Sequence, residues 1–328
     1  MDGARVPRVS FDAVRGQSPA VETLVRALSA GRVHHAYRFE GPPGVGKELC
    51  AFRLAAALVC ESGGTGCGEC SACRRALTLS DEEPRVPLHP DVVLVGRGVY
   101  RSVTGQSEAS GIGIDQIRRV VLPRVGYSPH EGRAMVFLVR DADELTVQAA
   151  NALLKTLEEP PRLTHFVLIT SRPHRLLDTI RSRTLPIRFG TLSDDVLGAL
   201  LTERGVPLDV IPFAEGSMEY ALERGSEESR AERDEFVQGA EAALTAADFS
   251  VALRFTESQK GERAELKRRL SFFAHHLATR ARARASAPAE AERWATRHGL
   301  VLATIDDIEK NVQPALALEA MLLKMRDR

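Results

Sequence analysis

The amino-acid sequence predicts an α/β fold with a parallel sheet, followed by an all-helical C-terminal part. The first reason is the segment Gly41–Lys47, which has the pattern G-x-x-x-x-G-K and lies between a short strand-like run, Tyr37–Phe39, and a helical run. That pattern is typical of a phosphate loop, whose backbone N–H groups converge on phosphate oxygens at the positive end of a helix. The second reason is that strand-like and helical runs alternate through about residue 187, after which the strand-like runs stop.

Length and composition bound the class of protein. A chain of 328 residues is long enough for two or three domains with buried cores. Lys and Arg together number 44, and Asp and Glu together also number 44, so the formal net charge is zero. The overall charge therefore does not indicate a nucleic acid or a membrane as partner. The sequence shows neither a positively charged, then apolar leader nor a run of 18 apolar residues. We therefore expect a soluble, cytoplasmic protein.

The strands follow from continuous apolar runs in chain order. The first helix begins at Ser18, followed by Pro19, and ends at Gly31. After the phosphate-loop strand and helix, a run that is apolar throughout indicates a strand buried on both faces of a parallel sheet. Met135–Val139 is such a run, and Val92–Val95 is a run rich in β-branched residues. Thr164–Thr170 is interpreted as another buried strand and Leu185–Phe189 as a shorter one.

The predicted nucleotide site departs from that of a working ATPase at its metal position. Gly41, Gly44, Gly46 and Lys47 are placed to hold phosphates, with the lysine as a point charge between the outer ones. The next position, where a Ser or Thr hydroxyl should hold Mg²⁺, is Glu48. Its charge would repel a triphosphate unless a metal neutralised it. Whether ATP and Mg²⁺ bind is therefore left open.

The strand ends supply the remaining candidates for this site. Asp141 follows the strand Met135–Val139 and is placed to hold the water shell of Mg²⁺, and Thr170 ends the next strand. An ATPase would follow the aspartate with a Glu that orients the attacking water, but here the next residue is Ala142. The alternative is that Asp141 merely caps the helix predicted over residues 145–157.

A cysteine cluster interrupts the α/β pattern. Cys60, Cys67, Cys70 and Cys73 have the spacing C-x6-C-x2-C-x2-C, in which tight turns present thiolates to one tetrahedral ion. Four thiolates leave no open coordination position, so the spacing predicts a structural Zn²⁺ in a knuckle over residues 60–73. The alternative is a set of free or redox-active thiols. Cys50, on the phosphate-loop helix, is interpreted as a small core residue.

Beyond residue 187 the sequence predicts helices only. Three short helices at 193–204, 208–215 and 217–224 are separated by glycines and form a small lid. Longer segments follow at 230–245, 249–259, 262–284, 288–298 and 305–325. The Arg-rich run 281–288 could be taken for a nucleic-acid arm, but a solvated helix end is the plainer interpretation. We predict three domains: 1–187 with the zinc module, the lid 188–225, and a helical domain 226–328.

Several strings together resemble the AAA+ subunits of bacterial sliding-clamp loaders, which belong to the DNA polymerase III holoenzyme. The resemblance is strong over about residues 8–190, and the string 151–161 is its most specific part. The phosphate loop and the cysteine knuckle also match, together with the strings Phe11–Gln17, His34–Phe39, His89–Asp91, Ile114–Arg118 and Ser182-Arg183.

The resemblance implies a choice between the ATP-hydrolysing motor subunit and a subunit that does not hydrolyse ATP. Three motor features are lost, at Glu48, at Ala142 and near Glu219, where the lid's sensor Arg would fall. What survives is Arg183, although Thr184 replaces the Cys of the family's S-R-C motif. In the family this Arg reaches into a neighbouring subunit's ATP site as an arginine finger. The likeness therefore implies a catalytic role in trans for Arg183.

The resemblance also implies partners. It predicts a rigid stator in a five-subunit ring with gamma/tau and delta subunits, held together by a C-terminal helical collar. The ring would place the β sliding clamp on primed DNA in DNA replication. Three alternatives stay open: an autonomous gamma/tau-like ATPase, a redox or metal-sensing regulator, and an ordinary surface salt bridge for Arg183.

Overall fold

The computed structural model describes residues 11–101, 111–259 and 262–326. These form two compact units. The first comprises the described residues through Leu197 together with Gly216–Met218, and the second comprises Gly198–Glu215 and the residues from Glu219 onward. The predicted division into three domains stays a prediction. None of the helices in the described ranges is long and apolar enough to span a membrane.

The first unit contains a five-stranded parallel sheet in the order β2-β3-β4-β1-β5. The strands are β1 Ala36–Glu40, β2 Val92–Val95, β3 Met135–Val139, β4 Thr164–Thr170 and β5 Leu185–Arg188. Every residue of β2 and β3 is buried, as expected of strands covered on both faces. The parallel sheet predicted from the apolar runs is therefore confirmed.

Helices cover both faces of this sheet and create two hydrophobic cores. They are Ser18–Ser29, Lys47–Val59, Ser71–Leu77, Ile114–Gln116, which continues as a π-helix over Ile117–Val121, Val147–Glu158 and Asp178–Arg181. Because alternate residues of a strand face opposite sides, Val136 and Leu138 enter one core and Phe137 the other. In the second core, Phe137 stacks on Phe166 with ring centroids 4.8 Å apart.

The described residues of the second unit form helices and the turns that connect them. Its elements are a 3₁₀ helix at Leu208–Phe213 and the α-helices Glu227–Thr245, Ser250–Ser258, Arg263–Ala283, Pro288–Glu309 and Pro314–Arg326. Two further helices, Asp194–Glu203 and Met218–Arg224, begin in the first unit. The core contains Leu270, Phe273 and Leu322, all fully buried. The all-helical C-terminal part is thus confirmed.

One predicted helix boundary is wrong. The sequence predicts a break between 298 and 305, but a single helix runs from Pro288 to Glu309 through Gly299. It continues because Val301 and Ile308 bury one face at helical spacing. The chain breaks instead at Asn311, which has a φ of 71°, shortly before Pro314 opens the last helix.

A buried aspartate anchors the loop before β3. Asp91 has 0% exposure, and its carboxylate accepts backbone N–H bonds from His130, Glu131 and Gly132 at 2.6, 2.8 and 2.6 Å. His89 Nδ1 in turn accepts the Asp91 N–H at 3.1 Å. Burial acts to raise the pKa of Asp91, but the three N–H donors outweigh it and hold the pKa below its ordinary value.

Asp91→Asn is expected to lower the free energy of unfolding by about 2–4 kcal/mol, because an amide NH₂ group would face backbone donors in a buried site. The folded-state pKa of Asp91 is lowered, so this stabilisation is complete above the unfolded pKa of about 3.9 and is lost as the pH falls through the folded value. Urea denaturation at several pH values measures both effects. Asp81→Asn, at an exposed carboxylate, is the control. Equal midpoints for wild type and Asp91→Asn at neutral pH would contradict the anchoring role.

Candidate functional site

The phosphate loop joins β1 to the helix Lys47–Val59. Gly46, immediately before the helix, has a φ of 97°, in the left-handed region that favours glycine. A Cβ atom on Gly41 would lie 2.2 Å from the carbonyl oxygen of Phe189. The two glycines are thus required for the path of the backbone.

The ammonium group of Lys47 lies against this loop. Lys47 is 6% exposed, and its Nζ donates to the carbonyl oxygens of Gly41, at 2.7 Å, and of Pro42. It also lies 3.4 Å from Ser171 Oγ, just beyond the end of β4. The lysine is therefore held in the loop by acceptors of its own chain.

The carboxylate of Glu48 is paired with a guanidinium. Arg140 donates from Nε to Glu48 Oε2 at 2.9 Å and from Nη2 to Oε1, so the contact is two-pronged. Arg140 directly follows β3. The charge at the position of the expected metal-binding hydroxyl is thus balanced by an arginine of the same chain. Arg140 is not predicted by any sequence motif, although it immediately precedes Asp141.

Asp141 adopts a left-handed conformation with a φ of 48°. Burial, followed by the nearby Asp143 carboxylate, raises its pKa and so disfavours the anion that would hold a metal. It does not cap the helix Val147–Glu158, because Thr146 Oγ1 accepts the Ala149 N–H at 3.2 Å and fills that role. The alternative interpretation of Asp141 as this helix cap is therefore wrong.

Three other polar side chains at the carboxyl ends of the strands, those of Thr170, Asp143 and Arg172, bind one another. Thr170 Oγ1 donates to Asp143 Oδ1 at 2.6 Å, and Arg172 Nε donates to Asp143 Oδ2 at 2.7 Å. Arg172 also pairs with Glu144. Burial acts to raise the pKa of Asp143, but these donors prevail and lower it. Both Asp143 oxygens thus accept hydrogen bonds from within the chain. Arg172 is a second residue of this site that no sequence motif predicts.

Arg183 follows the short helix Asp178–Arg181, and its side chain is 31% exposed. One guanidinium nitrogen, Nη1, donates to Thr179 O at 3.0 Å and lies 3.2 Å from Ser182 Oγ. The other, Nη2, forms an ion pair with Glu158. The pairing predicted by the salt-bridge alternative is therefore present.

Arg183 also lines an open cavity of about 690 Å³. The adjacent Thr184 is buried, donates to Ile180 O at 2.8 Å and accepts from Arg38 Nη1 at 2.6 Å. Threonine is thus accommodated by hydrogen bonds where the family's motif has cysteine. His34, His35, Leu157, Glu158, Ser182 and Leu185 complete the cavity lining.

The four clustered cysteines meet at one point. Their sulfur atoms all lie within 4.8 Å of one another, and the closest pairs are 3.5 to 4.0 Å apart. A tetrahedral ion with Zn–S bonds of about 2.3 Å requires sulfurs about 3.8 Å apart, so the donor set fits zinc. The group could hold a metal ion and leaves out Cys50.

Backbone N–H groups approach three of the four sulfurs in this cluster, whereas burial raises the pKa of the fourth thiol, Cys73. The N–H groups of Cys67, Cys70 and Cys73 lie 3.2 to 3.4 Å from the sulfurs of Cys60, Cys67 and Cys70, respectively. The N–H groups of Cys70 and then Glu69 lower the pKa of Cys67 to about 6. By contrast, burial raises the pKa of Cys50 to about 12, which suits a neutral core residue.

A comparison with protein families matches residues 16–193 to the family described as DNA polymerase III, delta subunit. Among individual proteins, DNA polymerase III subunit gamma/tau of Mycobacterium tuberculosis is 38% identical over 206 residues, which cover 61% of this chain and 32% of that protein. DNA polymerase III subunit delta' of Escherichia coli is 37% identical over 167 residues, which cover 50% of this chain and 45% of that protein.

The two degrees of identity, 38% and 37%, do not separate the two kinds of subunit. Escherichia coli subunit tau, at 36% over 185 residues and 26% of its own length, is equally similar. The matched residues span less than half of the length of each of these three proteins. The distinction therefore depends on the chemistry of individual positions.

Proposed function

Because this chain belongs to the DNA polymerase III delta-subunit family of clamp-loader proteins, we propose that it is the delta prime subunit. In this role it does not hydrolyse ATP and serves as a stator in the loader. The observation that carries the proposal is the Glu48–Arg140 ion pair, which lies where a motor subunit needs a magnesium-binding hydroxyl.

The geometry supports the absence of the groups that ATP hydrolysis requires. Phosphoryl transfer needs a metal to neutralise charge and a residue that orients water. Here Arg140 neutralises Glu48, while Ala142 has no group with which to orient water. Asp143, one position later, is occupied by Thr170 and Arg172. The loop glycines and Lys47 remain as a vestigial phosphate site.

Arg183 is the residue through which this chain acts on ATP. Its side chain is partly exposed and lines an open cavity, which supports contact with a phosphate held by another subunit. A guanidinium at that point stabilises the charge that develops on the γ-phosphate oxygens. We assign it the role of an arginine finger that completes the active site of a neighbouring gamma/tau motor.

The rest of the chain fits this role. Domain 1–187 would carry the vestigial site and a structural zinc module, 188–225 the lid, and 226–328 the collar that assembles the ring with gamma/tau and delta. The β clamp and primer-template DNA would be contacted through the complex, in the cytoplasm at the replisome. The second candidate, an active gamma/tau-like ATPase, is kept because gamma/tau proteins are among the relatives.

The purified chain is expected to show no ATPase activity above background, and Glu48→Thr is expected not to restore it. The substitution would supply a hydroxyl for the metal, but Ala142 would still leave water unoriented. Steady-state phosphate release with Mg²⁺ measures this, with the gamma/tau motor as positive control. A wild-type turnover on the order of 1 s⁻¹ or faster would favour the second candidate and overturn the proposal.

A further inference from the structure

We propose that Glu158 is a latch that holds Arg183 in the free subunit and releases it when a neighbour's nucleotide phosphate competes for the guanidinium. The inference rests on the proposed role of Arg183 as a finger and adds a residue that controls it. The geometry behind it is that Arg183 is not free at the cavity but paired with the carboxylate of Glu158.

Helix stability does not explain a carboxylate at position 158. Glu158 is the last residue of the helix Val147–Glu158, where the unsatisfied carbonyls make the helix end negative. A carboxylate is repelled by that end, where a Lys or Arg would be favourable. Glu158 therefore lies at a place where an acid costs helix stability, and its nearby partner is the guanidinium of Arg183.

The pair is suited to release. The side chains of Arg183 and Glu158 are 31% and 47% exposed, and exposed ion pairs are weak and readily exchanged. The resting arrangement also leaves Arg183 Nε buried without a hydrogen-bond partner. A phosphate group presents several acceptor oxygens and can bind Nε and Nη together, as a bidentate partner. Phosphate thus offers the guanidinium more than the carboxylate does.

The cavity provides the space for this exchange. It is open to solvent, has a volume of about 690 Å³ and contains both Glu158 and Arg183 in its lining. Rotation of the arginine side chain alone changes its partner from carboxylate to phosphate. A subunit in which Arg183 is paired with Glu158 is unable to contact the neighbour's phosphate. The pair therefore lowers the fraction of subunits that are competent to bind that phosphate, and the apparent affinity for the neighbouring subunit falls in proportion to that fraction.

The test uses a clamp loader reconstituted from the source organism's own subunits, with this subunit titrated into the others in the presence of ATP, Mg²⁺ and primed DNA. Glu158→Gln is expected to lower the concentration that gives half-maximal ATPase stimulation by about two- to fivefold, the range that loss of an exposed ion pair allows. Glu159→Gln, at the adjacent exposed carboxylate, is the matched control and should match wild type.

The effect of Glu158→Gln should vanish in an Arg183→Ala background, because a latch has nothing to hold there. The melting temperature of Glu158→Gln should stay within about 1 °C of wild type, which would show that the ion pair contributes little to the stability of the fold. If Arg183→Ala lowers the ATPase but Glu158→Gln changes nothing or also lowers it, the latch is refuted and the finger stands. If Arg183→Ala itself has no effect, the proposed function fails.

Discussion

Arg183→Ala is expected to lower the DNA-stimulated ATPase of the reconstituted clamp loader, although under the proposed function this chain hydrolyses no ATP itself. An arginine finger contributes about 10³–10⁵ in rate to the site that it completes. Loss of the guanidinium should therefore silence the adjoining motor site and leave the other sites active. The whole complex should lose a part of its turnover and of its clamp loading.

The fold of the variant should be unaffected. Arg183 is partly exposed, and its ion pair with Glu158 is worth about 0–1 kcal/mol, so melting temperature and assembly should match wild type. Lys47→Ala is the comparison, and its effect on turnover should be much smaller because, under the proposed function, the site that contains Lys47 does not hydrolyse ATP. A loader crippled by Lys47→Ala and unaffected by Arg183→Ala would show that the two roles are reversed.

Cys70→Ser is expected to release the metal and to destabilise the first unit near the cluster. Metal binding is coupled to folding, and structural zinc sites contribute about 10–16 kcal/mol of apparent binding free energy in small zinc-binding peptides. Removal of one of the four thiolates from a closed tetrahedral shell should remove much of this binding free energy. Metal analysis of the purified proteins, combined with thermal unfolding, measures both effects.

Cys50→Ser is the matched control for the metal site. Cys50 is fully buried and lies outside the cluster, so this variant should retain about one zinc per chain. Metal lost from Cys50→Ser but retained by Cys70→Ser would overturn the ligand assignment. Zinc that stays bound in the presence of a thiol reductant would leave little support for the redox-regulator alternative.

The parts of the structure that follow from local pattern could be predicted. β3 and β4 are mostly apolar runs that need cover on both faces, which identifies them as strands of a sheet with helices on both sides. The cysteine cluster is equally local, because residues 60–73 bring the four sulfurs together within one short segment. The phosphate loop combines glycine backbone requirements with a following helix. Each of these signals is contained in neighbouring residues.

The ion pairs of the nucleotide site could not be predicted in the same way. Arg140 and Glu48 are 92 residues apart, and Arg172 and Asp143 are 29 apart. No periodicity links such residues, and the sequence contains many charged residues that could have been their partners. The helix break predicted between 298 and 305 is wrong for a different reason: Gly299 is tolerated inside the helix because buried neighbours such as Val301 hold the helix in place.

The Glu48–Arg140 pair also has a consequence for how this chain could evolve. A single change of Glu48 to a hydroxyl residue would leave the Arg140 guanidinium without its carboxylate, and loss of Arg140 alone would leave the carboxylate facing any incoming phosphate. Residues in direct contact contribute non-additively, so the two changes depend on each other. A change at position 48 would therefore have different effects with and without Arg140. Under the proposed function, recovery of a magnesium site would depend on both positions rather than on position 48 alone.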